Sequence, residues 1–413
     1  MGFSPLDGLK KFTLDNGLTV YLKRQEKLPI VSVQMWVRAG TLDETDRNNG
    51  VAHFLEHMLF KGTANYSVGE ITRLVESQGG SMNAGTSKEF TEYYIDITRE
   101  GYPEALKIIA DISQNALIPE DELESERTVV LEEIKRADDN PGTILYETFN
   151  GQMYSETPYR RRVLGSAESV GAMSREDLME FYRSLYVAEN MVLVVVGDID
   201  IDASMKLIRE SFSSARKGRK NARKGLSEPV KTPTEKRVAH SVQMDYVMCG
   251  FLGPDIDSKH QYAADILSTI LGSGLSARLY RRIKEEKQLA HTIEATFYTH
   301  QGSGIFMVTA MCDTEKTDRV VEEIKNELGN VLEQEIKDSE IKRAAEMTRS
   351  SWYFGQETYH GQASTVGYWA LMERLDYVDT YIKNIDRVSE KSIRDFMKEH
   401  FNGLTVTVVY PES

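Results

Sequence analysis

Apolar residues recur along this chain with two periods, and each change of period marks a new element. In "KKFTLDNGLTVYLKR" (residues 10–24) two β-prone segments flank Asn16-Gly17, a dipeptide that favours a tight hairpin turn. "IVSVQMWVRAG" (Ile30–Gly40) reads as another strand. The period then lengthens, with Val51, Phe54, Leu55, Met58 and Leu59 at helical spacing. "SVGEITRLVESQGG" (67–80) predicts a helix stopped by Gly79-Gly80, and "SMNAGTSKEFTEYYIDIT" (81–98) alternates as paired strands. "GYPEALKIIADISQNAL" (101–117) opens a helix with Pro103 in its first turn. A long charged helix follows over Asp121–Asp138, and "ENMVLVVVGDID" (189–200) reads as a buried strand.

Periodicity then lapses. From Ser213 to Glu235 the chain is rich in Lys, Arg, Gly and Pro, which predicts a linker with solvated charges. Beyond it the pattern restarts. "SVQM" at Ser32–Met35 recurs at Ser241–Met244, and at the same offset His53, Glu56 and His57 fall on Tyr262, Asp265 and Ile266. The strand-then-helix order around both copies predicts a duplication into two α+β halves, residues 1–213 and 236–413, joined by a linker at 214–235.

Composition narrows the function classes. The 413 residues suffice for two or three domains, and 50 basic against 64 acidic side chains give a formal charge of −14. Such a balance offers no basic footprint for nucleic acid, and no aromatic residues interleave with the basic linker. No segment approaches the ~20 apolar residues of a membrane span. The N-terminal stretch resembles neither a secretory signal nor a transit peptide, so a cytoplasmic location is the default expectation. Cys249 and Cys312 are too few for a disulfide framework and are expected as buried thiols.

The chemistry concentrates in "NNGVAHFLEHMLFKGT" (48–63), where His53, Glu56 and His57 spell H-x-x-E-H. On a helix His53 and His57 stand one turn apart, so both imidazoles can reach one metal ion. Glu56, three residues after His53, lies on the same face and can hold a water without ligating. The surrounding apolar positions leave this polar group half-buried and in need of a partner. A catalytic zinc takes three protein ligands and keeps a position open, so another element must supply the third. The helix over Asp121–Asp138 offers Glu122, Glu124, Glu126, Glu132 and Glu133. Glu126 and Glu133, seven apart, share a face, whereas Glu132 is rotated by ~100° from Glu133.

The sequence resembles the pitrilysin family of inverted zinc metallopeptidases, and most of all the compact bacterial relatives of the mitochondrial processing peptidase β subunit. The resemblance spans nearly the whole chain: "LDNGLTV", "GTLDETDRNNGVAHFLEHMLFKGT", "GGSMNAGTSKEFTEYY", "ERTVVLEEI", "NMVLVVVGDID" and "GLSARLYRRIKEEKQLAHTI". It implies one Zn2+ per chain on His53, His57 and Glu133, with Glu56 as general base and Glu126 steering a ligand histidine. It also implies that a peptide substrate lies along "MNAGT", meeting Asn83 and Ala84 as an added strand. Peptide-cleaving members carry an Arg and, seven residues on, a Tyr that bind the substrate carbonyl; here Lys284 and His291 stand in those places. Lys lacks the guanidinium fork and His the phenol.

The expected fold is therefore α+β, two homologous domains each with an antiparallel sheet flanked by helices, like the mitochondrial processing peptidase. The expected activity is that of a zinc metalloendopeptidase, cleaving peptides or unfolded segments inside a clam-like dimeric chamber. The pair is either a homodimer or a heterodimer with a related subunit that supplies Arg and Tyr. A non-catalytic structural subunit is the rival reading, set against the retention of all four key residues.

Overall fold

The computed structural model describes residues 3–230 and 232–412. They cluster into two units, each built on one sheet. The first comprises residues 3–135, 161–223 and 354–379, and the second 136–160, 224–353 (without 231) and 380–412.

The first unit carries β1 (Leu9–Thr13), β2 (Thr19–Arg24), β3 (Ile30–Val37), β4 (Ser81–Thr86), β5 (Thr91–Thr98) and β6 (Met191–Gly197), in the order β1-β2-β6-β3-β5-β4. The Asn16-Gly17 hairpin forms as the sequence predicts, with Thr13 opposite Thr19. Its core lies between this sheet and helices that include α1 (Val51–Leu59), α2 (Glu70–Ser77) and α3 (Tyr102–Gln114). α4 (Glu120–Asp138) turns Leu123, Val130 and Ile134 inward.

The second unit holds β7 (Glu235–His240), β8 (Asp245–Gly253), β9 (Thr292–Tyr298), β10 (Gly304–Cys312) and β11 (Thr405–Pro411), ordered β7-β11-β8-β10-β9. Without β1, the first sheet has this same order and the same strand directions, which is the expected duplication. The helix Gln261–Gly272 follows β8 as α1 follows β3, and it contains no histidine. Cys249 and Cys312 are buried free thiols.

Three expectations need correction. Each sheet is mixed, because β2 runs parallel to β6 and β7 parallel to β11. β2 and β3 run in opposite directions, so a strand inserted between them must parallel one of the two. The "SVQM" match is not a structural equivalence, since Ser32–Met35 lies within β3 while Ser241–Met244 forms the turn before β8. The linker's basic run is not wholly solvated. Arg223 is buried against Asp43 through Nε (3.0 Å) and a second nitrogen (2.6 Å), and Arg216 lies over the Tyr182 ring.

A single cut at 214–235 also fails to divide the units. α5 (Pro141–Met153) packs on β8 and β11 of the second unit, where Phe149 covers Gly250. Conversely, the helix Tyr359–Leu371 packs on β3 and β6 of the first unit, with Gly367 against the Trp36 indole. Each sheet thus has its second face covered by a helix from the distant half of the sequence. That cover is why β6 is buried along its whole length.

Candidate metal centre

α1 owes its start to a buried carboxylate. Glu44 accepts hydrogen bonds from the backbone N–H groups of Gly50 and Ala52 (both 2.9 Å) and from the Asn49 side chain (2.7 Å). This places an anionic group at the positive end of the helix. Burial nevertheless pushes the Glu44 carboxyl up to about 7. Gly50 has φ of 98°, and a Cβ there would stand 2.7 Å from the Leu164 carbonyl oxygen. Gly50→Ala combines a left-handed backbone with that clash. It should cost about 1–3 kcal/mol of stability, the usual size of such strain, read as a lower melting temperature.

Val51, Phe54, Leu55, Met58 and Leu59 bury the apolar side of α1 and leave His53, Glu56 and His57 along its other side. α4 answers with Glu126 and Glu133, while Glu132 is exposed. The Glu133 Oε2 atom lies 3.7 Å from His53 Nε2 and 3.6 Å from His57 Nε2. Among the described residues, His53, His57 and Glu133 are the one group of three whose ligand atoms all fall within 4.8 Å of one another. Ligands at ~2.1 Å in a tetrahedron are separated by about 3.4 Å, close to the spacings found here.

The surroundings suit the donors to that task. Burial, and then the neighbouring His57, push the His53 imidazole down to about 4, so it is neutral and able to ligate at ordinary pH. Its Nδ1 is buried without a hydrogen-bond partner. His57 Nδ1 donates to Glu126 Oε1 (2.8 Å), which leaves the Nε2 lone pair towards Glu133. The other Glu126 oxygen meets Lys61 Nζ at 2.6 Å. Burial pushes the Glu126 carboxyl up, but its bonds to Lys61 and His57 outweigh that and hold it below its ordinary value.

Glu56 is not among the three. Its Oε2 accepts a 2.5 Å hydrogen bond from the Thr86 hydroxyl at the end of β4. Burial raises its carboxyl above the usual range, opposed by the Thr86 bond and the His57 charge. Asn83 and Ala84 lie on β4, which pairs with β5 on one side and forms the sheet edge on the other. Lys284 and His291 belong to the second unit. The Lys284 ammonium sits 5.0 Å from the centre of its own Tyr280 ring, and His291 Nε2 lies 2.9 Å from Asp313.

Three supporting residues escaped the sequence reading. Lys61 could have been found, because it lies one turn beyond His57. Glu44 and Thr86 could not, since only folding brings them to α1.

Comparison with known proteins settles the family. Residues 19–167 match the model described as "Insulinase (Peptidase family M16)", and residues 172–348 the model described as "Peptidase M16 inactive domain". An uncharacterized zinc protease of Mycobacterium bovis is 33% identical over 87% of this chain and 82% of its own length. The chain belongs to peptidase family M16, the pitrilysin family. The inactive-domain match, over residues 172–348, begins after the segment that carries the histidine pair. The uncharacterized zinc protease YmxG of Bacillus subtilis is 27% identical to this M16 chain over 95% of it and 96% of the relative. Among solved structures, a protease from Helicobacter pylori aligns over 98% of this chain and 99% of its own, with a TM-score of 0.92 at 25% identity. A Pseudomonas fluorescens structure described as a peptidase M16 inactive domain shares the fold, with a TM-score of 0.90 at 20% identity.

Proposed function

We propose that this M16 chain is a zinc metalloendopeptidase. The convergence of His53, His57 and Glu133 within 4.8 Å, with Glu56 on the helix that carries both histidines, is the observation that carries the reading. His53, His57 and Glu133 would hold the ion and Glu126 would fix the tautomer of His57. A bound zinc would polarise the peptide carbonyl and acidify a water in the open position. Glu56 takes the proton from the attacking water and delivers it to the leaving amine. Its raised pKa suits a group that must both accept and return a proton. The substrate adds as a strand along β4, past Asn83 and Ala84, so it must be extended. Two chains closing around such a strand would admit unfolded segments and exclude folded proteins.

The test is digestion of an unstructured peptide by the purified, zinc-loaded chain, followed by mass spectrometry with and without chelator. Cleavage that the chelator abolishes is expected. Cleavage that survives complete removal of metal would overturn the reading.

A second reading, a zinc-bearing subunit that borrows its carbonyl-binding donors from a related partner, is favoured by one observation: His291 is already engaged by Asp313. It is decided by engineering the pair. If the chain works as a homodimer instead, Lys284→Arg with His291→Tyr should raise kcat/KM by at least ~10-fold, a tenth of what one oxyanion donor commonly supplies. A low rate left unchanged by these substitutions in the isolated chain is the outcome expected if a partner supplies the donors.

A further inference from the structure

The register of β4 on β5 sorts their side chains onto two faces. Met82, Ala84 and Thr86 lie opposite Ile95, Tyr93 and Thr91, which are buried in the core. Ser81, Asn83 and Gly85 lie opposite Asp96, Tyr94 and Glu92, which are half-buried on the other face. Two of these three β5 side chains are occupied. Asp96 bonds to His360 Nδ1 at 2.9 Å, and the Tyr94 ring meets the His360 ring edge-on at 4.5 Å.

Glu92 is different. Among the described residues it has no hydrogen-bonding or ion-pairing partner, although it is half-buried. Burial raises its carboxyl, the His360 charge lowers it and the Glu56 charge raises it. Opposite it on the edge strand stands Gly85, the one position of β4 without a side chain. A Cβ built at Gly85 would lie 3.6 Å from Glu92 Oε1, so the carboxylate leans over the edge strand through the gap that glycine leaves.

A peptide added to β4 lies ~4.8 Å beyond it and sends alternate side chains to each face. On the Thr86 face they pass the Glu56 carboxylate. On the Gly85 face one of them starts beside the gap and points to Glu92. A small or acidic side chain leaves that carboxylate unpaired, whereas an Lys or Arg stem can cross Gly85 and end on it. The pairing would be a charge-assisted hydrogen bond in a partly desolvated place.

We propose that Glu92 is a specificity-determining residue of the peptidase, selecting substrates with a basic side chain at the position that lies across Gly85. This rests on the reading of β4 as the substrate's docking strand. Because Gly85 adjoins Thr86, the residue that holds Glu56, the selected position lies within a few residues of the scissile bond.

The experiment is digestion of a complex mixture of unstructured peptides by zinc-loaded wild type, Glu92→Gln and Glu92→Lys, with cleavage sites mapped by mass spectrometry. Wild type should show Lys and Arg enriched at one fixed position from the cut. In Glu92→Gln the ratio of kcat/KM for a Lys substrate to that for its Ala counterpart should fall roughly 10–100-fold, as expected when a site loses its charged partner. Glu92→Lys should turn the preference towards Asp and Glu at that same position. Cleavage without basic enrichment, or enrichment that persists in Glu92→Gln, overturns the role of Glu92 and leaves the peptidase reading standing. A zinc-loaded chain that cuts no peptide in the mixture overturns both.

Discussion

His57→Ala should empty the metal site. Wild type, with three protein donors and an open position, is expected to hold about one zinc per chain. The variant loses one donor directly. It also leaves Glu126 with Lys61 as its remaining partner near the site, since the other Glu126 oxygen is bonded to His57. Elemental analysis after dialysis should find the variant essentially metal-free, and peptide hydrolysis should fall to background. The supporting carboxylate gives a graded control. Glu126→Gln removes the charge that orients His57 and should weaken zinc affinity by about 10–100-fold, the usual worth of such a partner. Full zinc occupancy in His57→Ala would refute the ligand assignment outright.

Glu56→Gln separates chemistry from binding. The amide keeps the shape of the side chain and can still meet the Thr86 hydroxyl, but it cannot take a proton. Zinc content and melting temperature should match wild type, while kcat falls by roughly 10²–10⁴, the contribution of a positioned general base. Thr86→Val sharpens the assignment. The Thr86 hydrogen bond stabilises the charged form of Glu56, so its removal raises the pKa further. Activity requires the unprotonated base, and the acid limb of kcat/KM should therefore move to higher pH. Undiminished turnover in Glu56→Gln would place the base elsewhere.

The features that could be read from the sequence are those that depend on near neighbours. The Asn16-Gly17 turn, the helical spacing around His53 and His57, and the continuous apolar run of β6 each follow from local stereochemistry. So does the sorting of Glu133 from Glu132, which are neighbours in sequence but rotated apart on α4. The resemblance of "HFLEHMLFKGT" and "ERTVVLEEI" to one family then selected Glu133 from the acidic residues that local rules had left open.

Only the tertiary structure decided the rest, because it depends on contacts between segments far apart in the chain. Apolar alternation predicts strands but not direction, so the parallel pairs β2·β6 and β7·β11 appear only once a returning strand fills the gap between two others. Amphipathicity gives α5 and the helix Tyr359–Leu371 an apolar face without saying which sheet it covers, and each covers the one its position in sequence does not suggest. The same holds within the site. Glu44 at the start of α1, Thr86 on Glu56 and Glu92 opposite Gly85 are products of helix packing and strand register. A one-residue slip of β4 on β5 would turn Glu92 away from the gap, and no pattern confined to either strand fixes that register.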